Sequence, residues 1–465
     1  MENDLGNGIV EARLAAALVG LRGRLRPAEV ETALRTAAFD TFGVLAGAHG
    51  APGISALNDS LAALSGGAGR SQILLTGIRV DPGSAAMANG AAIHALDFDD
   101  QYDPARVHVF SVVLPAALAT AETLGGVSLD RFFDALAIGA ELFCRLGLAC
   151  RDCLDTGWHP TTLLGAFAAA ATSGTLLGLD ERQMVSALGL AYSQISGTVQ
   201  VIEDGVLAKR LGPGFAARSG LVAAHLAAAT ITGAQRFLSG KAGLFAQYRI
   251  EGDPALLTER LGEDWHLARL SLKPFPCCRC SHSLAAIAID LHSEGLRPDD
   301  VVSGALGLSR TNHAVVGRPF APESAENPGV HGQFCAAYAF ARALSRGNLG
   351  PMDFTAAAVL SGSVALARGL KCTVETDFEP RALAPARVRL LMRSGETLTR
   401  LVERMPGAPD LPLSLAQLRA KFSACLGSVT DSHVEAFRLC LTEPEAGTGT
   451  AETVLAFRRL VTGYR

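Results

Sequence analysis

The sequence predicts a mainly α protein, in which a large helical domain formed from both ends of the chain is interrupted by a smaller α+β domain. Three observations carry that expectation. From Pro27 to about Leu261 the chain is a succession of apolar-periodic runs that open on Pro, Ser or Asp and close near Gly. After Trp265 the texture changes to short alternating runs. From about Pro412 the helical pattern returns. The expected limits are residues 1–266 and 409–465 for the helical domain and 267–408 for the inserted one.

In chain order, the predicted helices include PAEVETALRTAAFDTFGVLAGA, SVVLPAALATAETLGG, SLDRFFDALAIGAELFCRL and DERQMVSALGLAYSQISG, with one strand at Ser71–Val80. The many alanines and glycines in these runs imply helices that approach one another closely. In the second region LARLSLKPFP, VVSGALGLSRTN, KCTVETDF, ARVRLLMRS and ETLTRLVERM are predicted strands, with helices at 282–293 and 332–345. The closing helices are SLAQLRAKFSACLG, SHVEAFRLCLT and ETVLAFRRLVTG.

Composition narrows the function classes. The chain has 465 residues, 49% of them hydrophobic, and a net charge of −4. That excludes a disordered chain and gives no reason to expect nucleic acid or an anionic membrane as partner. The N-terminal MENDLGNGIVEAR has neither the basic nor the apolar region of a signal peptide. The stretch Thr161–Leu179 carries no charge, but its Ala, Gly, Thr and Ser content suits a helix packed inside protein better than one facing lipid. A cytoplasmic protein is expected, and its ten cysteines are read as reduced thiols, since no second CxxC completes a zinc site with Cys277 and Cys280.

Four stretches carry chemistry. HALDFDDQYDPARVH, residues 94–108, places four aspartates within seven positions of a chain with only 18% charged residues. DDQYD fits the DDxxD pattern that holds Mg²⁺ in helical isoprenoid enzymes, with Asp99 and Asp103 on one helix face. Against that stand Pro104 directly after it, a second motif that fails at Gly307, and an aromatic content of 6%. The competing reading is a helix end at a cleft, where His94, Asp97, Arg106 and His108 come together. In GWHPTTLLGAF, residues 157–167, Pro160 suits the first position of a helix and puts His159 at the N-cap, where the helix dipole disfavours an imidazolium. In DGVLAKRLGPGFAARSG, residues 204–220, Lys209 and Arg210 precede a Gly-Pro-Gly expected to turn into a helix and make an anion site. From Gly205 to Ile250 there are six Lys or Arg and no Asp or Glu. In LKPFPCCRCSH, residues 272–282, Lys273 ends an expected strand and His282 opens the next helix.

Together these stretches resemble the MmgE/PrpD family. The likeness is carried by ANGAAIHALDFDD, GWHPTTLLGAFAAAA, AKRLGPGFAARSGLVAA, TGAQRFLSGKAGLF and KPFPCCRCSH, in the family's order. The resemblance implies a helical domain with an α+β lid, a homodimer, and cofactor-free chemistry without a metal on a small carboxylate: dehydration, decarboxylation or epimerisation. It implies Asp97, His108, His159, Lys209 and Lys273 as catalytic positions, with Lys209, Arg210, Lys273, Gln101 and His282 binding the substrate. On that reading the lysines hold carboxylates, the histidines move protons, and Asp97 orients an imidazole. The chain departs from the family's decarboxylases by having Gln101 in place of a Thr and Val315 in place of a lid Tyr. A dimeric scaffold without catalysis is the alternative of a different class.

Overall fold

A computed structural model describes residues 10–66, 69–361, 365–427 and 430–462, and the chain is mainly α. Two hydrophobic clusters form. One draws on residues from Leu14 to Leu267 and again from Leu418 to Val461; the other runs from Phe275 to Leu390.

At the centre of the first cluster lies the helix Ala208–Ala228, packed against Pro160–Leu177 and Pro82–His94. Small residues set that packing. A Cβ on Gly214 would sit 2.4 Å from the carbonyl oxygen of Met87, and one on Gly220 would sit 2.3 Å from that of Ala166. The helices therefore meet backbone to backbone. Caps fix where several helices start: Ser128 accepts from the Arg131 amide, and Asp180 and Gln183 form a capping box.

The C-terminal helices complete this cluster. Phe422 stacks on Phe39 with ring centroids 4.7 Å apart, and Phe457 packs on Phe42 at 5.0 Å. Lys421, on Leu415–Leu426, donates to Asp40 at 2.7 Å and to the Phe98 carbonyl at 2.9 Å. Residues near the end of the chain thus brace the aspartate-rich loop.

The second cluster packs the helices His282–Ser293 and Ala336–Arg346 on a four-stranded sheet. Its strand order is Leu370–Val374, Val301–Leu308, Ala386–Met392 and Thr397–Val402, the first pair parallel and the others antiparallel. Four of the five predicted strands of this region are present. The fifth, LARLSLKPFP, is not a strand: it makes a short 3₁₀ turn at His266–Arg269 and one bridge, Ser271 to Gln101. Pro274 and Pro276 remove the donors that a ladder needs. The expected strand Ser71–Val80 is a pair of two-residue strands, Ser71–Gln72 and Arg79–Val80, joined by a turn. The expected helix 332–345 is broken into Pro328–Gln333 and Ala336–Arg346.

Among the described residues no helix is long and apolar enough to cross a membrane. The uncharged stretch from Thr161 lies in the buried helix Pro160–Leu177.

Candidate active site

The helix Pro82–His94 ends at His94, and the chain turns through Asp97, whose φ of +51° is a left-handed conformation that Asp tolerates better than most residues. The Asp97 carboxylate is buried and accepts from two ammonium groups. Lys209 donates to Oδ1; Lys273 donates to Oδ2 at 3.0 Å and to the Asp97 carbonyl at 2.9 Å. Burial alone would raise the Asp97 pKa, but Lys209 and Lys273 hold it well below the usual carboxylate range. Burial also works against the Lys273 ammonium, and Asp97 and Asp99 reverse that, leaving its pKa raised. Lys209 further lies over the Phe334 ring, 4.9 Å from its centroid. Two cations share one carboxylate, so the pocket holds an excess positive charge.

Three histidines surround this centre. His94 Nδ1 meets Asp99 Oδ2 at 2.8 Å, and the His94 and His108 rings meet edge to face at 4.6 Å. His108 Nδ1 lies 2.9 Å from the Asp100 carbonyl oxygen and 3.5 Å from Asp99 Oδ2. A carbonyl only accepts, so Nδ1 carries the proton and Nε2 keeps its lone pair. His159 has the opposite arrangement. It is the N-cap of Pro160–Leu177, and its Nδ1 accepts from the Thr162 amide at 3.3 Å, which puts the proton on Nε2. Burial and neighbouring cations keep both rings neutral: His108 is held well below its usual pKa, and His159 is lowered to about 3.

Asp100 closes the loop. Its carboxyl accepts from the amides of Val109 and Phe110 at 3.1 and 2.9 Å and caps the helix Phe110–Thr123, while burial and then Asp99 push its pKa up to about 8.

Asp97, His108, His159, Lys209, Lys273 and Gln101 line one cavity of about 60 Å³. Its wall also includes Phe334, Cys278 and Val315 from the second cluster's part of the chain. Sequence reasoning singled out Asp97, His108, His159, Lys209 and Lys273 and missed Phe334 and Arg279, which also line the cavity. A larger cavity of about 560 Å³ adjoins it, and Arg106 and Leu154 line both.

Several expectations fail. Asp97 orients no imidazole: both of its carboxylate oxygens are taken by lysines, and Asp99 is the carboxylate that meets the rings. Arg210 does not line the cavity; it donates to the Pro52 carbonyl at 2.9 Å and reaches Gln333 at 3.4 Å. His282 is fully buried behind the wall, between the Cys277 carbonyl at 3.1 Å and Arg279 at 3.2 Å. Gly-Pro-Gly makes no turn into a helix but lies inside Ala208–Ala228, because glycine is needed there for close packing. Lys209 is still in that helix's first turn.

The DDxxD alternative also fails on its geometry. Residues 99–103 are not helical, Asp99 faces His94, and Asp103 is occupied by Arg279 at 3.1 Å and Ser271 at 2.7 Å. Among the described residues one group, His94, Asp99 and His108, has ligand atoms within 4.8 Å of one another. In that group His94 Nδ1 already meets Asp99 Oδ2 at 2.8 Å.

The sequence matches the MmgE/PrpD N-terminal domain over residues 12–256 and the MmgE/PrpD C-terminal domain over residues 275–442. It is 31% identical to a cis-aconitate decarboxylase-like protein of Aspergillus oryzae over 377 residues, 76% of this chain and 77% of that protein. It is 29% identical to the cis-aconitate decarboxylase of Aspergillus terreus over 389 residues, 78% of each. Identity to the cis-aconitate decarboxylase of Homo sapiens is 29% over 367 residues, 75% of this chain and 73% of that enzyme. With both domains matched in order, the chain belongs to the MmgE/PrpD family.

Proposed function

We propose that the protein is a lyase that acts without a cofactor on a small di- or tricarboxylate, by removing a proton from carbon next to a carboxylate or by expelling that carboxylate as CO₂. The observation that carries this reading is the convergence of Lys209 and Lys273 on Asp97 in one cavity with His108 and His159. An excess positive charge shielded from water favours a bound carboxylate, and favours still more the charge that builds up on an enolate.

The two histidines differ in what they can do. His108 offers a lone pair at Nε2 and is the base; His159 offers a proton at Nε2 and is the acid. In dehydration, His108 takes the carbon-bound proton and the electron pair moves toward the carboxylate held by the lysines. The pair then returns to form the double bond, and the β-hydroxyl leaves as water with the proton of His159. In decarboxylation the carbon–carbon bond breaks, CO₂ departs, and the pair left on the carbon skeleton takes a proton from His159. Gln101 and Val315 line the cavity at positions where the chain departs from the decarboxylase pattern. They support a substrate other than cis-aconitate.

The test is proton NMR of 2-methylcitrate, citrate, cis-aconitate and amino dicarboxylates incubated in D₂O with EDTA-treated protein. The proposal expects deuterium beside a carboxylate together with an unsaturated product. Exchange with inversion and no elimination would make the protein an epimerase. Activity that appears only with added Mg²⁺ would refute the cofactor-free reading, and no exchange with any of them would sink the lyase.

A further inference from the structure

The cavity that holds Lys209 and Lys273 measures about 60 Å³, whereas ligand sites generally span about 300–1,000 Å³. A di- or tricarboxylate anchored on the lysines must therefore reach beyond it. Two larger cavities adjoin it: one of about 350 Å³ shares Ile202 and Phe334 with it, and the one of about 560 Å³ shares Leu154 and Arg106, the cation common to both.

Four cations line the inner cavity, and three are spoken for. Lys209 and Lys273 share Asp97, and Arg279 pairs with Asp103 at 3.1 Å. Arg106 has no carboxylate partner among the described residues. Its guanidinium donates to the Arg381 carbonyl at 3.0 Å and to Cys280 Sγ at 3.2 Å, a thiol whose pKa the hydrogen bond with Cys278, and then Arg106, lower to about 7. The backbone holds it firmly: Tyr102 and Val107 bridge across the loop at 2.8 Å, and Arg106 itself adopts a φ of +54°.

From this placement we infer that Arg106 is the receptor for the substrate's distal carboxylate, and that it makes the enzyme select molecules with a second carboxylate remote from the reacting carbon. The inference rests on the proposed function. A planar guanidinium with unused N–H groups takes a carboxylate through two parallel hydrogen bonds, a geometry that a lysine cannot reproduce. The lysine pair would then hold the reacting end while Arg106 sets the length and polarity of the other end.

Calorimetric titration with two inert probes tests this: glutarate, and its monoamide, which keeps a single carboxylate. Wild type should bind glutarate about tenfold or more tightly than the monoamide. Arg106→Gln should abolish that preference by weakening glutarate while leaving the monoamide within about threefold. Arg106→Lys should recover part of it, and near-native melting of both variants shows that the fold survives. Equal weakening of both probes in Arg106→Gln would make Arg106 a structural residue, and unchanged binding of both would remove it from the site. Either result overturns the inference alone. Failure of wild type to bind either probe would overturn it together with the carboxylate reading.

Discussion

Lys273 grips Asp97 twice, at the main-chain carbonyl, 2.9 Å away, and at the carboxylate, 3.0 Å away. That double contact ties the extended segment after Ser271 to the turn after His94, and holds Asp97 in its left-handed conformation. Removing the carboxylate would leave two buried ammonium groups facing each other.

Asp97→Asn should therefore destabilise the protein by about 3 kcal/mol, as breaking a buried ion pair does, and lower turnover more than about a hundredfold. Urea unfolding and steady-state rates check both. The pH dependence has a definite sign. A carboxyl whose folded pKa lies below its unfolded value contributes stability that is present above about pH 4 and is lost as pH falls toward the folded value. The gap between wild type and Asp97→Asn should thus be constant above about pH 5 and shrink under acid. A gap that widens on acidification would mean that Asp97 is not ion-paired.

The histidine tautomers are directly observable. ¹⁵N-resolved NMR of histidine-labelled protein should find the proton on Nδ1 of His108 and on Nε2 of His159. The partners require it, since one nitrogen faces a carbonyl and the other a backbone amide. The same tautomer in both rings would break the assignment of base and acid.

Both rings are kept neutral, with His159 at about 3 and His108 well below its usual value, so neither titrates near neutrality. The acid side of the kcat/KM profile should be flat between about pH 5 and 7, without the limb near 6.5 of an ordinary histidine. A limb there that vanishes in His108→Asn would show that His108 is exposed to water in the working enzyme.

Backbone contact between helices predicts a position with no chemical role that nonetheless matters. Gly214→Ala would place a methyl group 2.4 Å from the Met87 carbonyl oxygen. It should cost about 1–3 kcal/mol and reduce turnover, because the displaced helix carries Lys209. A variant that melts like wild type would show that the helices have room to separate.

Much of this was legible in the sequence because local rules decided it. Ser128, Asp180 and the His159-Pro160 pair each announce a helix start, and each caps one. Asp97, Lys209 and Lys273 stood out because cations and aspartates are scarce in so apolar a chain. What was hidden depended on tertiary contacts. Gly212-Pro213-Gly214 has the composition of a turn, yet packing keeps it helical. The partner of the histidines is Asp99 rather than Asp97, because the left-handed turn at Asp97 sends its carboxylate to the lysines. Arg210 and His282 have the right chemistry in the right motifs, but their side chains point into backbone carbonyls elsewhere.

The division of labour between His108 and His159 is tested most directly by deuterium exchange in two variants, followed by NMR on the substrate identified with wild type. His159→Asn keeps an N-capping side chain while losing the acid, so it should still exchange the proton beside the carboxylate but form little product. With a substrate that loses water, His108→Asn should lose exchange and product together. The reverse pattern, with exchange surviving in His108→Asn and lost in His159→Asn, would contradict the account.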